Sequence, residues 1–245
     1  MAIMNQVALV TGAGRGMGRE FVAQLGARGV NKIYAGVRSQ EALDALGREE
    51  GGHVVPVPLD VTMPEQVEQA AQTCRDVTLL VNNAGVNEVQ GLLASPDMAA
   101  ARTEMETNYF GLLAMCRAFA PVLAANGGGT MINMISILAR VSLPLMGSLC
   151  ASKAAALSLT QGMRAELAAQ GTRVIAVLPG AIDTDMSRDF PPPKAKPADV
   201  ASAVLDAFEG TADQVYPDAM GRDLATQLAA DAAAVERQFQ TMLPE

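Results

Sequence analysis

Three glycines in the run TGAGRGMGRE, Gly12, Gly16 and Gly18, follow the apolar stretch QVALV with the spacing G-x-x-x-G-x-G. That spacing serves a tight strand-to-helix turn, lets backbone approach a pyrophosphate closely, and aims amide groups at a helix N-terminus toward the anion. The commoner G-x-G-x-x-G spacing counted from Gly12 fails, because Met17 takes the place of its last glycine. Arg15 lies inside the loop. About twenty residues further on, where a carboxylate would accept hydrogen bonds from an NAD ribose, the chain instead reads Val37, Arg38 and Ser39. Two guanidiniums at these places would pair with a ribose 2'-phosphate, so the expected cofactor is NADP(H). A third stretch, GSLCASKAA, sets Lys153 four residues after Leu149, on one face of a predicted helix. An amine able to do chemistry thus stands beside a side chain that can do none.

Other chemistries are nearly excluded by counting. The single histidine, His53, leaves no H-E-x-x-H metal site and only one residue on which a Ser-His-Asp triad could draw. Cys74, Cys116 and Cys150 are odd in number and lack C-x-x-C spacing, so neither a disulfide framework nor a zinc cage is expected, and no metal site is assigned. A net charge of -8 argues against a nucleic-acid surface. The N-terminus lacks the basic and apolar regions of a signal peptide, and no apolar run reaches about 18 residues, so a cytoplasmic protein without a membrane partner is expected.

The elements that must position these residues alternate along the chain. Short β-branched runs, QVALVTG, KIYAGVR, HVVPVPLDV, VTLLVNNAG, GTMINMIS and TRVIAVLPG, are separated by predicted helices over 16–28, 40–49, 64–74, 98–124 and 144–169. Strands this apolar, joined through helices, require an α/β fold: a Rossmann-like, doubly wound, mostly parallel seven-stranded sheet with helices on both faces, binding ligands at the carboxyl ends of its strands. The expected organisation is one domain over residues 1–245. The run FPPPKAKP cannot continue a helix or central strand. Residues 185–197 are therefore expected to form a loop or lid with few backbone partners, followed by a helix, a short strand near QVYP and a closing helix.

In combination these motifs resemble the short-chain dehydrogenases/reductases, in the compact branch of this length, over nearly the whole chain. The likeness is carried by TGAGRGMG, by Asp60 and Val61, by NNAG spanning Asn82, Ala84 and Gly85, by Asn108 in ETNYFG, by Ser136 closing NMIS, by Lys153, and by PGAIDT with Pro179, Gly180, Ile182 and Thr184. It implies that Gly12, Arg15, Gly16, Met17, Gly18, Arg38, Ser39, Asp60, Val61, Asn82, Ala84, Gly85, Lys153, Pro179, Gly180, Ile182 and Thr184 bind the cofactor. Ser136 would hydrogen-bond a substrate carbonyl. Lys153 would hold the nicotinamide ribose and lower the pKa of a neighbouring acid, and Asn108 would fix a water in a proton relay. The resemblance further implies a homotetramer or homodimer formed through the fourth and fifth helices.

One position departs from the family. Its tyrosine stands four residues before the lysine and thirteen after the serine, and both counts lead to Leu149. The tyrosines present are Tyr34, expected on the cofactor side of the sheet, Tyr109, expected in the core, and Tyr216. The site thus keeps Asn108, Ser136 and Lys153 and lacks the general acid. Three explanations stand open: a substitution introduced to trap a complex, altered chemistry such as reduction of an already protonated C=N group, or a cofactor-binding protein without turnover. An apolar substrate pocket is expected from Leu138, Val141, Leu143, Met146, Met186 and Phe190, suited to a hydrophobic ketone or amine precursor. Glu88, Ser148 and Cys150 are candidate substitute donors.

Overall fold

The computed structural model describes residues 2–48 and 52–242. Seven strands, β1 Val7–Thr11, β2 Lys32–Val37, β3 Val54–Pro58, β4 Leu79–Asn82, β5 Gly129–Met134, β6 Thr172–Val177 and β7 Gln214–Val215, form one sheet in the order β3-β2-β1-β4-β5-β6-β7. Every pairing is parallel. The helices are α1 Gly16–Ala27, α2 Gln40–Gly47, α3 Pro64–Thr73, α4 Ala99–Ala125, α5 Gly147–Leu167, α6 Pro197–Glu209 and α7 Ala219–Gln240. The last residue of the predicted second helix, Glu49, lies outside the described residues.

Alternation along each strand distributes the core to two layers. Ala8 and Val10 face one layer with Phe21, Val22 and Leu25 of α1 and Val200, Val204 and Leu205 of α6. Leu9 faces the other, with Val67 of α3, Phe119 and Leu123 of α4, and Met163 and Leu167 of α5. Because β1 is paired on one side with β2 and on the other with β4, the chain reverses its winding there. The resulting crevice at the carboxyl ends of β1 and β4 is where a doubly wound sheet receives ligands.

Four details differ from expectation. α4 is widened by a π-helical turn over Glu106–Gly111, which contains Asn108. The fifth long helix begins at Gly147 after a separate 3-10 turn at Pro144–Met146, and α7 breaks at Asp231, whose φ of -156 and ψ of 91 are not helical. The segment 185–197 is not short of backbone partners at its base. Asp183 N donates to Ala195 O and Ala195 N to Ala181 O, both at 2.8 Å, so the lid returns along its own start. Lys194 Nζ adds a bond to Ser187 O at 3.0 Å and an ion pair with Asp183 at 3.2 Å. The two flanks are thus tied by hydrogen bonds that the proline content did not suggest.

Candidate active site

The glycine loop can be tested by asking what a methyl group would meet. A Cβ on Gly18 would lie 2.1 Å from Gly12 O, and one on Gly12, whose φ is +65, would lie 3.2 Å from the Ala84 backbone. Only glycines allow α1 to start this close to β1, so the first turn of the helix stays open to an anion at its N-terminus. Thr11 completes the arrangement from the end of β1. Its hydroxyl accepts from the amides of Asn83 at 3.0 Å and Ala84 at 2.9 Å, while Asn83 Nδ2 donates to Thr11 O at 3.0 Å. Thr11 and Asn83 lie inside the motifs TGAGRGMG and NNAG but were not singled out as binding residues from the sequence.

Arg15 is the residue before α1, and Arg38 is exposed just past β2. Arg15 lies 3.9 Å from Asp185 at the start of the lid, both side chains being exposed. Ser39 caps α2 by accepting from Ala42 N at 3.2 Å. Gly16 lies against the Thr184 side chain, bringing PGAIDT over the glycine loop. Pro179 O accepts from Ile137 N, Gly180 N donates to the Asp218 carboxylate, and Ile182 bridges to Ala195. Asp60 is engaged by the amide and hydroxyl of Thr62, and Val61 packs on Gly111 in the π turn. Asn82 is turned inward, its amide donating to Asn133 Oδ1 at 2.9 Å, so its side chain braces the sheet beside the crevice.

The remaining polar groups converge behind Gly85. A Cβ there would lie 3.1 Å from Asn108 Oδ1 and 3.5 Å from Lys153 Nζ, so the missing side chain opens the space in which they meet. Asn108 Nδ2 donates to Val86 O and to Ser152 Oγ, each at 3.0 Å, and Asn108 Oδ1 accepts from Val86 N at 2.9 Å. Lys153 Nζ donates to Met134 O at 3.1 Å, two residues before Ser136. Burial of the ammonium pushes the Lys153 pKa down to about 8, and the Glu104 carboxylate opposes that fall. Ser136 lies two residues past β5, before a 3-10 turn at Ile137–Ala139, and its hydroxyl accepts from Leu138 N at 3.1 Å, a local cap that fixes its direction.

Leu149 is 7% exposed and packs with Met146, Cys150, Leu138, Leu143 and Phe190. The lid residue Phe190 thus lies on the very cluster that contains the tyrosine position. Two expected pocket residues fall elsewhere: Val141 packs with Ile137, Leu224 and Val235 beneath α7, and Met186 is 52% exposed on the lid turn. Tyr34 also corrects the sequence reading. Its hydroxyl donates to Asp76 Oδ1 at 2.8 Å, and Asp76 precedes β4, so the ring points to the amino ends of the strands, opposite the crevice. Tyr109 is only half-buried, edge-on to Phe110, rather than in the core. Of the candidate substitute donors, Glu88 is exposed, whereas Ser148 and Cys150 are buried and the Cys150 thiol is pushed up by burial.

A family profile described as short chain dehydrogenase matches residues 6–195. Among solved structures, a short chain dehydrogenase from Burkholderia cenocepacia in complex with NADP is 53% identical over all of both chains, with a TM-score of 0.93. A 7α-hydroxysteroid dehydrogenase complexed with NADH and 7-oxo glycochenodeoxycholic acid is 26% identical, covering 86% of this chain and 92% of its own, with a TM-score of 0.79. Among curated sequences, a 3-oxoacyl-[acyl-carrier-protein] reductase from Synechocystis is 31% identical over 196 residues, which are 77% of this chain and 79% of that protein.

Proposed function

The chain belongs to the short-chain dehydrogenase family, and on that premise we propose that it is an NADPH-dependent oxidoreductase that reduces the C=O group of a hydrophobic small molecule. The observation that carries the reading is the convergence of Lys153 Nζ and Asn108 Oδ1 behind Gly85, at the strand ends where the glycine loop leaves room for a dinucleotide. The cradle fits such a group: Gly12, Gly16 and Gly18 would hold its pyrophosphate, Arg15 and Arg38 a 2'-phosphate, and Ile182 and Thr184 the carboxamide end. Bound there, the reduced nicotinamide supplies a hydride. The Burkholderia relative binds NADP, in keeping with the two arginines.

The chain's own groups then act on the carbonyl oxygen. Ser136 offers a hydroxyl from just past β5, and Lys153 offers an ammonium held on Met134 O. Both Nδ2 hydrogens of Asn108 are spent on Val86 O and Ser152 Oγ and Oδ1 accepts from Val86 N, so a water ordered there would donate to the remaining lone pair of Oδ1 or be held by the backbone of the π turn. Leu149 offers no proton, and a positioned acid contributes about 10² to 10⁴ in rate. Ketone reduction by this chain is therefore expected to be slow.

The apolar cluster around Leu149 favours a second reading, reduction of an iminium carbon, which needs no donor at that position. Following NADPH oxidation with ketones and cyclic imines side by side, in the unaltered protein and in Leu149→Tyr, separates the two. Slow ketone reduction that rises by about 10² or more in Leu149→Tyr supports the proposal. Imine turnover without ketone turnover selects the second reading. Tight NADPH binding without turnover in either protein overturns both and leaves a cofactor-binding protein.

A further inference from the structure

The closing helix α7 has no role in the arrangement described above, and it lies beyond the residues that the family profile matches. Its start nevertheless reaches the site. Asp218, 7% exposed, immediately precedes α7 and spends its two carboxylate oxygens in two directions. Oδ1 accepts from Gly221 N at 2.9 Å, which caps the helix, and Oδ2 accepts from Gly180 N at 2.9 Å, 38 residues back in PGAIDT. A cap needs only the first of these bonds. The second joins the last helix to the segment that lies over the glycine loop.

The contact is packed as well as hydrogen-bonded. A Cβ on Gly180 would lie 2.7 Å from Met220 Cβ, and one on Gly221 would lie 2.9 Å from Leu178 O, so α7 starts directly on the turn that follows β6. Met220 Sδ accepts from Ala181 N at 3.4 Å, which holds the next amide of the same turn. Further along α7, Leu224 and Val235 pack with Ile137 and Val141, in the stretch that follows Ser136. Ile137 N in turn donates to Pro179 O at 2.9 Å. One helix therefore touches both halves of the site, PGAIDT at its first turn and the Ser136 turn along its apolar face.

We propose that Asp218 is a positioning residue: its bond to Gly180 N fixes PGAIDT, and with it the seat of the nicotinamide end of the cofactor, relative to Ser136. This rests on the reading above in which Ile182 and Thr184 receive the carboxamide. A partly buried peptide N–H that loses its acceptor is costly to leave unpaired, so without the carboxylate the turn would swing to satisfy it. Hydride transfer is sensitive to such a movement, because a displacement of about 1 Å can cost about 10² in rate. The adenosine end would rest on Arg15 and Arg38 instead, so the two ends of the dinucleotide report separately on the tie.

The test does not depend on turnover. Asp218→Ser keeps a good cap for Gly221 N but is too short to reach Gly180, whereas Asp218→Asn keeps the length with one oxygen to serve two amides. NADPH and 2'-phosphoadenosine diphosphate ribose, which is NADP without its nicotinamide ring, are titrated into each protein, and exchange of the Gly180 amide is followed in the apo forms. In the unaltered protein NADPH should bind the tighter of the two. In Asp218→Ser its affinity should fall by about tenfold while that of the ringless nucleotide stays within about twofold, and the Gly180 amide should exchange faster. Asp218→Asn should fall between, and carries the same comparison if the serine variant does not fold. An unchanged NADPH affinity or an unchanged Gly180 exchange rate in the folded variant overturns the proposal. An equal fall for both nucleotides overturns it as well, since the effect would then be a general loosening of the fold. NADPH binding no tighter than the ringless nucleotide in the unaltered protein overturns the reading that PGAIDT holds the ring, and the proposal with it, before any variant is compared.

Discussion

At the scale of single residues, the cofactor assignment rests on two cations. Replacing Arg15 and Arg38 together by alanine should erase an NADPH-over-NADH preference of at least about tenfold, equivalent to ~1.4 kcal/mol, measured by titrating both nucleotides. Undiminished discrimination in the double variant would move the phosphate site elsewhere. Lys153 also links stability to pH. Its folded pKa, about 8, lies below the ordinary 10.5, so between these values the unfolded chain binds more protons and stability rises with pH. Urea midpoints should therefore increase from pH 8 to 9.5, and Lys153→Met should remove the increase while stabilising the protein at pH 7. Residues whose role depends on local spacing were legible in the sequence: the glycines, Lys153, and the leucine in place of an acid. Asp218 was not, because its place before the closing helix marks it only as a cap, and nothing in QVYPDAMG says that its second oxygen will reach back to Gly180. Tyr34 was misplaced for a related reason. A strand pattern gives the face of a side chain, but the partner that draws its hydroxyl toward the strand's amino end, Asp76, is distant in sequence.

At the scale of elements, the order of strands and helices followed from periodicity, since each strand must be apolar on both faces in a sheet covered on both sides. Boundaries followed less well where the structure uses irregular turns, as at Glu106–Gly111 and before Gly147. The first turn of α1 is the least tolerant element. Gly18→Ala would push a methyl group onto Gly12 O, so dinucleotide affinity should fall by about tenfold or more, with a lower melting temperature. Wild-type affinity in that variant would show that the turn can relax. The lid divides into two parts. Its base, tied through Asp183 and Ala195, should be protected from hydrogen exchange in the apo protein. Residues 186–190 should exchange quickly until cofactor and substrate are bound, and equal protection before and after binding would make the segment a static loop.

At the scale of the whole molecule, α4 keeps apolar surface outside the core. Only 33% of its most apolar window is buried, and Leu113, Ala120, Leu159 and Met163, together with Arg117 and Glu166, line a groove between α4 and α5. A second copy of the chain would cover this face, so light scattering should give a mass of two or four subunits, and Leu159→Glu should lower it; a concentration-independent monomer would contradict the expectation. The strand order has a further consequence during synthesis. β1 can pair with β2 and β3 as soon as they emerge, but its other edge, Ala8 to Val10, waits for Leu79 to Val81. At ribosomal speed that wait lasts roughly 3 to 14 s, with an apolar strand edge exposed at the centre of the future sheet. Nascent chains arrested before Leu79 should therefore be bound by chaperones, and chains extended well past Asn82 should be released, which makes β4 the point at which the growing polypeptide ceases to be a client.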